Sequence, residues 1–144
     1  MRKKKVVVVS GYFNPIHIGH LHLFKEAKAL GDYLIVIVDN DHQVRLKGAI
    51  PFLPEKDRVE IVKAIKWVDD AFLSIDSDGS VSQSLRRIKP DIFANGGDRS
   101  KDGVPVPKSE EVVCRDLNIK MIYNVGGKKL RSSSELLKSI KNKK

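Results

Sequence analysis

Continuous apolar runs alternate along this chain with segments in which apolar residues recur every three or four positions. The runs predict strands at residues 5–10, 32–39, 71–75, 91–94 and 120–123. The periodic segments predict helices at 18–30, 55–66, 80–88, 109–117 and 133–140, with Ser109 as the cap of the fourth. Residues 40–50 are polar and predict a loop. Because strands and helices alternate, we predict a single α/β domain over residues 1–144, with an open, mainly parallel five-stranded sheet and helices on both faces.

Two finer predictions concern the core. In the helix at 55–66, the spacing directs Val59, Ile61, Val62 and Ile65 toward the sheet. Trp67, just beyond it, is interpreted as core filler.

The segments that follow the predicted strands are the most unusual in the chain. Residues 11–20, 40–48, 95–98 and 124–134 are rich in glycine, histidine or basic residues. In an open parallel sheet, the carboxyl ends of the strands lie along one edge, and ligands bind there at the point where the strand order reverses. We therefore expect these four segments to form one binding site.

The first of these segments, GYFNPIHIGH from Gly11 to His20, carries two histidines at the start of a predicted helix. His17 and His20 are three residues apart, so they share one face of the helix. Gly19 between them leaves room for a ligand to approach the backbone. Imidazole N–H groups at a helix N-terminus suit the negative charge that builds up on a reacting phosphate. Zinc is the competing interpretation, but no cysteine or carboxylate set lies beside the pair in sequence.

Basic and hydroxyl side chains of the other segments predict contacts with a polyphosphate. Lys47 and Arg45 lie in the predicted loop, and Arg58 lies near the start of the next helix. Arg131 precedes a serine-rich helix start, which suits a phosphate cradle and equally an ordinary helix cap. The pattern predicts a nucleoside triphosphate with its α-phosphate at the histidines, and the absence of G-x-x-x-x-G-K-[ST] excludes a P-loop. The other predicted contacts are Gly96, Gly97, Asp98, Ser132, Ser133 and Ser134.

Charge and composition narrow the class of protein. The net charge is +9, with basic residues concentrated at both ends. We interpret these ends as frayed, solvated tails, with attraction of polyphosphates and nucleic-acid binding as alternatives. Nucleic acid is disfavoured because the tails lack interleaved aromatic residues. No apolar run approaches the roughly 20 residues of a membrane span. No secretory signal is visible and Cys114 is the single cysteine, which predicts a cytoplasmic protein and an unreactive, partly buried thiol.

The segment from Gly11 to His20 resembles the G-x-F-D-x-x-H-x-G-H signature of the cytidylyltransferase-like nucleotidyltransferases. Further blocks resemble those of the family and follow its order, at residues 30–39, 47–48, 55–58, 68–69, 89–91, 97–98 and 131–134. The resemblance covers nearly the whole chain and implies a Rossmann-like fold. It implies transfer of CMP or AMP from CTP or ATP to a phosphorylated small molecule, with release of pyrophosphate and no covalent enzyme intermediate. It also implies Mg²⁺ accompanying the triphosphate, and homodimers are common in the family.

The resemblance also implies residue roles. His17 and His20 would stabilise the transition state, and Lys47 would contact the α-phosphate or the acceptor. Arg131 would hold the β- and γ-phosphates together with the serines that follow it. Arg58 would face the acceptor phosphate or the triphosphate, as would Arg45. The nucleotide site would be lined by Gly11, Tyr12, Phe13, Asn14, Gly19, Gly96, Gly97 and Asp98.

The acceptor and the base remain open at this stage. The blocks at 30–32 and 96–98 favour a polyol or sugar phosphate acceptor. An adenylyltransferase acting on a cofactor precursor, of the nicotinamide mononucleotide or phosphopantetheine type, is the first alternative. A nucleotide-binding module without catalysis is the second, because Asn14 stands where many members have Asp and an amide carries no charge.

Overall fold

The structure, a computed structural model, describes residues 3–96 and 106–126. Its strands are β1 (Val6–Gly11), β2 (Tyr33–Val38), β3 (Asp70–Leu73), β4 (Ile92–Gly96) and β5 (Lys120–Val125). Its helices are α1 (Ile18–Lys28), α2 (Asp41–Leu46), α3 (Glu55–Lys63), α4 (Ser82–Ile88) and α5 (Lys108–Asp116). The sheet order is β3-β2-β1-β4-β5, and every pair of neighbours is parallel. The predicted fold class is therefore confirmed.

Both faces of the sheet are covered. Val7 and Val9 of β1 point into one buried cluster with residues of α1 and α3, whereas Val8 points into a second cluster with residues of α4 and α5. All three valines are completely buried. A continuous apolar run is what such a strand requires, because successive side chains alternate between two dry faces. The strand order reverses between β1 and β4, so the loop after β1 lies where ligands bind in open parallel sheets.

Residues 41–46 form the helix α2, where the sequence predicts a loop. The Asn40 carboxamide oxygen accepts a hydrogen bond from the Gln43 N–H at 2.9 Å, and the Gln43 side chain accepts one from the Asn40 N–H at 3.0 Å. This reciprocal pair is a capping box, which satisfies two N–H groups at the helix start. The loop prediction was wrong because it rested on the low apolar content of this segment, whereas the Asn-x-x-Gln spacing indicates a helix start.

Three other local predictions can be compared with the structure. Ser109 is not the cap of α5, because that helix begins at Lys108 with Pro107 in the cap position and no side-chain cap bond. Ile61 was expected to point inward, but it is 41% exposed, since it faces a pocket at the edge of the sheet. Trp67 packs against the core as predicted. Along the described residues, no helix is both long and apolar enough to cross a membrane.

Candidate active site

Two histidines hold the start of α1, His17 as its cap residue and His20 as its third residue. The Nδ1 atom of His17 accepts a hydrogen bond from the Gly19 N–H at 3.2 Å, and the Nδ1 atom of His20 accepts one from the His17 N–H at 3.0 Å. The imidazole rings stack with centroids 3.8 Å apart and planes 27° apart. The pair therefore forms a capping box in which imidazoles replace the usual hydroxyl and carboxylate.

These cap bonds select the tautomer of both rings. A ring nitrogen that accepts a backbone N–H carries no hydrogen, so in the neutral imidazole the hydrogen is on the other nitrogen. In both rings the hydrogen is therefore on Nε2, and the Nε2 atom of His17 is buried. Two neighbouring N–H donors at the N-terminus of a helix can stabilise negative charge on phosphate oxygens. The geometry thus gives the same residues a structural and a chemical role.

Phe13 supports the histidine pair from the loop. Its ring lies edge-on to His20 with centroids 4.8 Å apart and to Phe24 of α1 at 5.4 Å. It is 3% exposed, and its φ of 51° lies in the left-handed region. A Cβ on Gly11 would come within 2.8 Å of the Phe13 ring, so glycine is required where β1 turns into the loop.

Lys47 reaches the same loop from the C-cap of α2. Its ammonium group lies 4.0 Å from the centroid of the Tyr12 ring, which is a cation–π contact. Lys47 is otherwise exposed, so the contact holds a positive charge at the edge of the sheet. Arg45, two residues earlier, is exposed in the last turn of α2.

Asn14 joins the loop after β1 to the segment before α3. Its amide nitrogen donates to the Ile50 carbonyl at 3.0 Å, and its oxygen accepts from the Phe52 N–H at 2.7 Å. The side chain is 3% exposed. An amide can make both bonds, whereas a carboxylate can only accept. From the sequence, the amide was expected to matter as a loss of charge, but in the structure it joins two segments through one donated and one accepted hydrogen bond.

Arg58 is placed differently from the sequence expectation. It is 2% exposed, and its guanidinium donates to the carbonyls of Tyr12 at 2.8 Å, Asp39 at 2.6 Å and Leu53 at 3.2 Å. A fourth bond joins it to the Asp41 carboxylate at 2.7 Å. Four of its five N–H donors are therefore used within the protein. Arg58 therefore holds the loop after β1 against β2, α2 and α3. The prediction that Arg58 faces a phosphate is corrected to this structural role.

The remaining predicted residues divide into two groups. Gly96 ends β4 and pairs with Val125 of β5 beside an irregularity in the strand pairing, and Gly19 is the second residue of α1. The others fall outside the described residues, and their roles stay predictions. They are Gly97, Asp98, Arg131, Ser132, Ser133 and Ser134.

The arrangement of possible metal-ligating side chains in the described residues bears on the expected Mg²⁺. Among them no three histidine, cysteine, aspartate or glutamate side chains are grouped so as to hold a metal ion. The Asn14 amide is committed to backbone partners. Mg²⁺ is usually held by one or two carboxylates together with substrate phosphates, so Mg²⁺ bound with the triphosphate stays a prediction.

Sequence reasoning missed the apolar side of the site. The segment Ile50-Pro51-Phe52-Leu53-Pro54 holds three large apolar residues beside two prolines, and all three are exposed. The available signal was this apolar run inside a predicted loop at the carboxyl edge of the sheet. This signal was missed because the prolines were interpreted only as breaks between the predicted helices and strands.

Comparison with known proteins agrees with the arrangement described above. An open parallel sheet with two histidines at the start of the helix after β1 is an arrangement suited to a phosphate-bearing ligand. The profile of the cytidylyltransferase-like family matches residues 8–135. The chain belongs to this family, and it is a nucleotidyltransferase.

Two of the similar proteins are named FAD synthase. The chain is 44% identical over 121 residues to a FAD synthase of Pyrococcus horikoshii, covering 83% of this chain and 73% of the relative. It is 34% identical over 134 residues to a FAD synthase of Thermoplasma volcanium, covering 93% and 92%. A solved structure, the lipopolysaccharide core biosynthesis protein of Thermoplasma volcanium, superposes with a TM-score of 0.70 at 31% identity, covering 85% of this chain and 97% of that one.

Proposed function

We propose that this chain is an adenylyltransferase that joins the AMP of ATP to flavin mononucleotide, forming FAD and pyrophosphate. Two archaeal relatives that share 34% and 44% of the aligned residues are named FAD synthase. FAD consists of flavin mononucleotide and AMP joined through a pyrophosphate bond, so its synthesis requires a nucleotidyl transfer to a phosphorylated cofactor precursor. The relatives therefore favour the cofactor-precursor alternative, and the polyol or sugar phosphate acceptor is not confirmed.

The observation that carries the proposal is the capped histidine pair. A phosphate oxygen of the flavin mononucleotide attacks the α-phosphorus of ATP in line. The new P–O bond forms as the bond between the α-phosphorus and the oxygen bridging to the β-phosphate breaks, and its electron pair leaves with pyrophosphate. Negative charge grows on the equatorial and leaving oxygens during this step. The Nε2–H groups of His17 and His20, held by their cap bonds, would donate to those oxygens.

Lys47 would assist at the acceptor side. Its ammonium group is held over Tyr12, next to the loop that carries the histidines. A fixed positive charge there would offset the repulsion between an anionic acceptor and an anionic triphosphate. The Mg²⁺ expected from the family is proposed as part of the substrate MgATP.

The test is a direct acceptor comparison. Purified protein with Mg²⁺ and either ATP or CTP is offered flavin mononucleotide, nicotinamide mononucleotide, phosphopantetheine, glycerol 3-phosphate or a heptose phosphate. FAD and pyrophosphate are quantified by chromatography. The proposal expects equimolar FAD and pyrophosphate from ATP with flavin mononucleotide, and little product from the other acceptors. Pyrophosphate released with another acceptor and not with flavin mononucleotide would overturn it.

A sugar phosphate acceptor remains the second candidate because of one observation. The solved structure that shares 31% identity and a TM-score of 0.70 with this chain is named for lipopolysaccharide core biosynthesis. The heptose phosphate arm of the same assay decides between the two candidates.

A further inference from the structure

A pocket with an almost wholly apolar lining lies beside the histidine pair, between the loop after β1 and the start of α3. Its walls include Phe13, Pro15, Ile16, Phe52, Leu53 and Ile61. The free space among the lining residues, counted to the open mouth, is about 340 Å³.

Three apolar side chains at this pocket are exposed to solvent. Phe52 is 54% exposed, Leu53 is 42% exposed and Ile61 is 41% exposed. Large apolar side chains grouped around one concavity mark a surface that a ligand or partner covers. Ile50, at the start of the same segment, is 82% exposed and extends the apolar edge.

The two polar residues in the lining do not make the pocket polar. Asn14 directs both ends of its amide to the backbone at Ile50 and Phe52. Arg58 directs four of its donors to three carbonyls and the Asp41 carboxylate. The pocket therefore offers few hydrogen-bonding partners to an occupant, and burying hydroxyl groups there would be costly.

The pocket shares one wall residue with the surroundings of the histidine pair. Phe13 lines it and also lies edge-on to His20, with centroids 4.8 Å apart. Tyr12, the preceding residue, carries the Lys47 ammonium over its ring at 4.0 Å. One ligand can thus place an apolar body in the pocket and an anionic group toward Lys47 and the histidines.

We infer that this pocket binds the planar, largely apolar ring system of the phosphorylated acceptor, and that it selects such acceptors over polyol and sugar phosphates. This inference rests on the proposed function. The apolar walls suit the faces of a heteroaromatic ring, while Lys47 complements the charge of its phosphate. A polyol phosphate would match the positive end but would leave its hydroxyl groups without partners in the pocket.

The test uses the intact chain with Phe52→Ala combined with Ile61→Gln. Both side chains are exposed, and the Phe52 N–H still reaches Asn14, so the fold is retained. Ile75→Gln is the matched control because Ile75 is 57% exposed and lies outside the pocket lining. Equilibrium dialysis measures the binding of riboflavin, flavin mononucleotide and ATP, and steady-state assays measure the KM of each substrate.

The expected result is a loss of about tenfold or more in riboflavin and flavin mononucleotide binding, because two apolar contacts are removed. The ATP affinity should stay within twofold of wild type, and Ile75→Gln should bind all three ligands normally. Phe52→Trp in place of Phe52→Ala should restore flavin binding, since the aromatic surface returns.

The outcomes separate this inference from the proposed function. If the wild type makes FAD and the double variant keeps the wild-type KM for flavin mononucleotide, the pocket assignment falls and the function stands. If the wild type makes no FAD, the proposed function falls, and riboflavin binding then decides the pocket. If the wild type binds riboflavin and the double variant binds it more weakly, the pocket assignment is supported. If the wild type does not bind riboflavin, the pocket assignment is overturned. A dimer in sedimentation that the double variant dissociates, with unchanged flavin affinity, would assign the surface to a second copy and overturn the inference.

Discussion

Individual side chains at this site carry more than one duty. The Nδ1 atoms of His17 and His20 satisfy backbone N–H groups at the start of α1, which leaves Nε2 as the donor on each ring. Replacing either residue with alanine would therefore remove a helix cap and a phosphate donor together. A substitution that keeps the cap is needed to separate the two roles.

We predict that His17→Asn and His20→Gln reduce turnover about 10²-fold or more, because each keeps a cap acceptor and loses the Nε2–H donor. Their unfolding free energies in urea should stay near wild type. His17→Ala should lose turnover and, in addition, about 1 kcal/mol of stability, since alanine cannot cap. Wild-type turnover of His17→Asn would show that the imidazole serves only as a cap.

Asn14 is the second residue with a specific chemical requirement. Its buried amide donates to one carbonyl and accepts from one N–H, so it holds two segments together. An aspartate at this position, as the family signature has it, would oppose the Ile50 carbonyl with an oxygen atom.

We therefore predict that Asn14→Asp lowers the free energy of unfolding by about 1–3 kcal/mol, because a buried carbonyl loses its donor and a charge is buried. Urea denaturation measures the change. Asn118→Asp is the control, because Asn118 is exposed at the end of α5. Equal stability of the two variants would contradict the clamp.

At the scale of helices and strands, carboxylates outside α4 hold the start of that helix. The Asp76 carboxylate accepts from the N–H groups of Gln83 and Ser84, and Glu110 accepts from the Val81 N–H at 2.9 Å. The cap residue of α4 makes no side-chain cap bond of its own, so two carboxylates from elsewhere satisfy its first N–H groups. Arg58 does the same for the carbonyls at the edge of the sheet.

Removing the Arg58 side chain should mainly lower the free energy of unfolding and should have little direct effect on phosphate binding. We predict that Arg58→Ala costs about 3–5 kcal/mol of unfolding free energy, because it leaves three carbonyls and a carboxylate without their donor. Arg86→Ala is the control, since that ion pair with Asp116 is long at 3.7 Å and about half exposed. Its cost should stay below about 1 kcal/mol. An Arg58→Ala protein as stable as Arg86→Ala would return Arg58 to the phosphate-binding role.

At the scale of the whole molecule, one of the two buried clusters that flank the sheet contains the single cysteine of the chain. Cys114 is 2% exposed in the cluster formed with α4 and α5. Burial, with the nearby charge of Glu110, raises the pKa of its thiol from 9.0 to about 11. Between these two values the unfolded chain loses the proton first, so this group's contribution to stability falls as the pH rises through that range.

We predict that iodoacetamide alkylates Cys114 in the folded protein at least about 100-fold more slowly than in urea at pH 8, because the thiolate is correspondingly rarer. Mass spectrometry follows the reaction, and the count of one cysteine makes the product unambiguous. Equal rates in the folded and unfolded protein would show that α5 does not bury this residue.

Local chemistry determined the fold class and the place of the site. Buried strands between two helical layers need continuous apolar runs. The run Val6–Val9 and the other predicted strands therefore indicated a parallel sheet. The spacing of His17 and His20 and the turn at Gly11 placed a phosphate-directed pair after β1, because these features depend on residues only a few positions apart.

Only the tertiary structure decided what Asn14, Arg58 and Ile61 do. The partners of Asn14 lie 36 and 38 positions away, and those of Arg58 lie up to 46 positions away. Arg58 was predicted to face a phosphate because it lies near the start of a helix, in a block that resembles the family. In the fold, three backbone carbonyls accept hydrogen bonds from it instead. Ile61 matched an inward helical position, yet it is 41% exposed and lines a pocket. Such outcomes depend on which distant segments meet, and local periodicity carries no record of that.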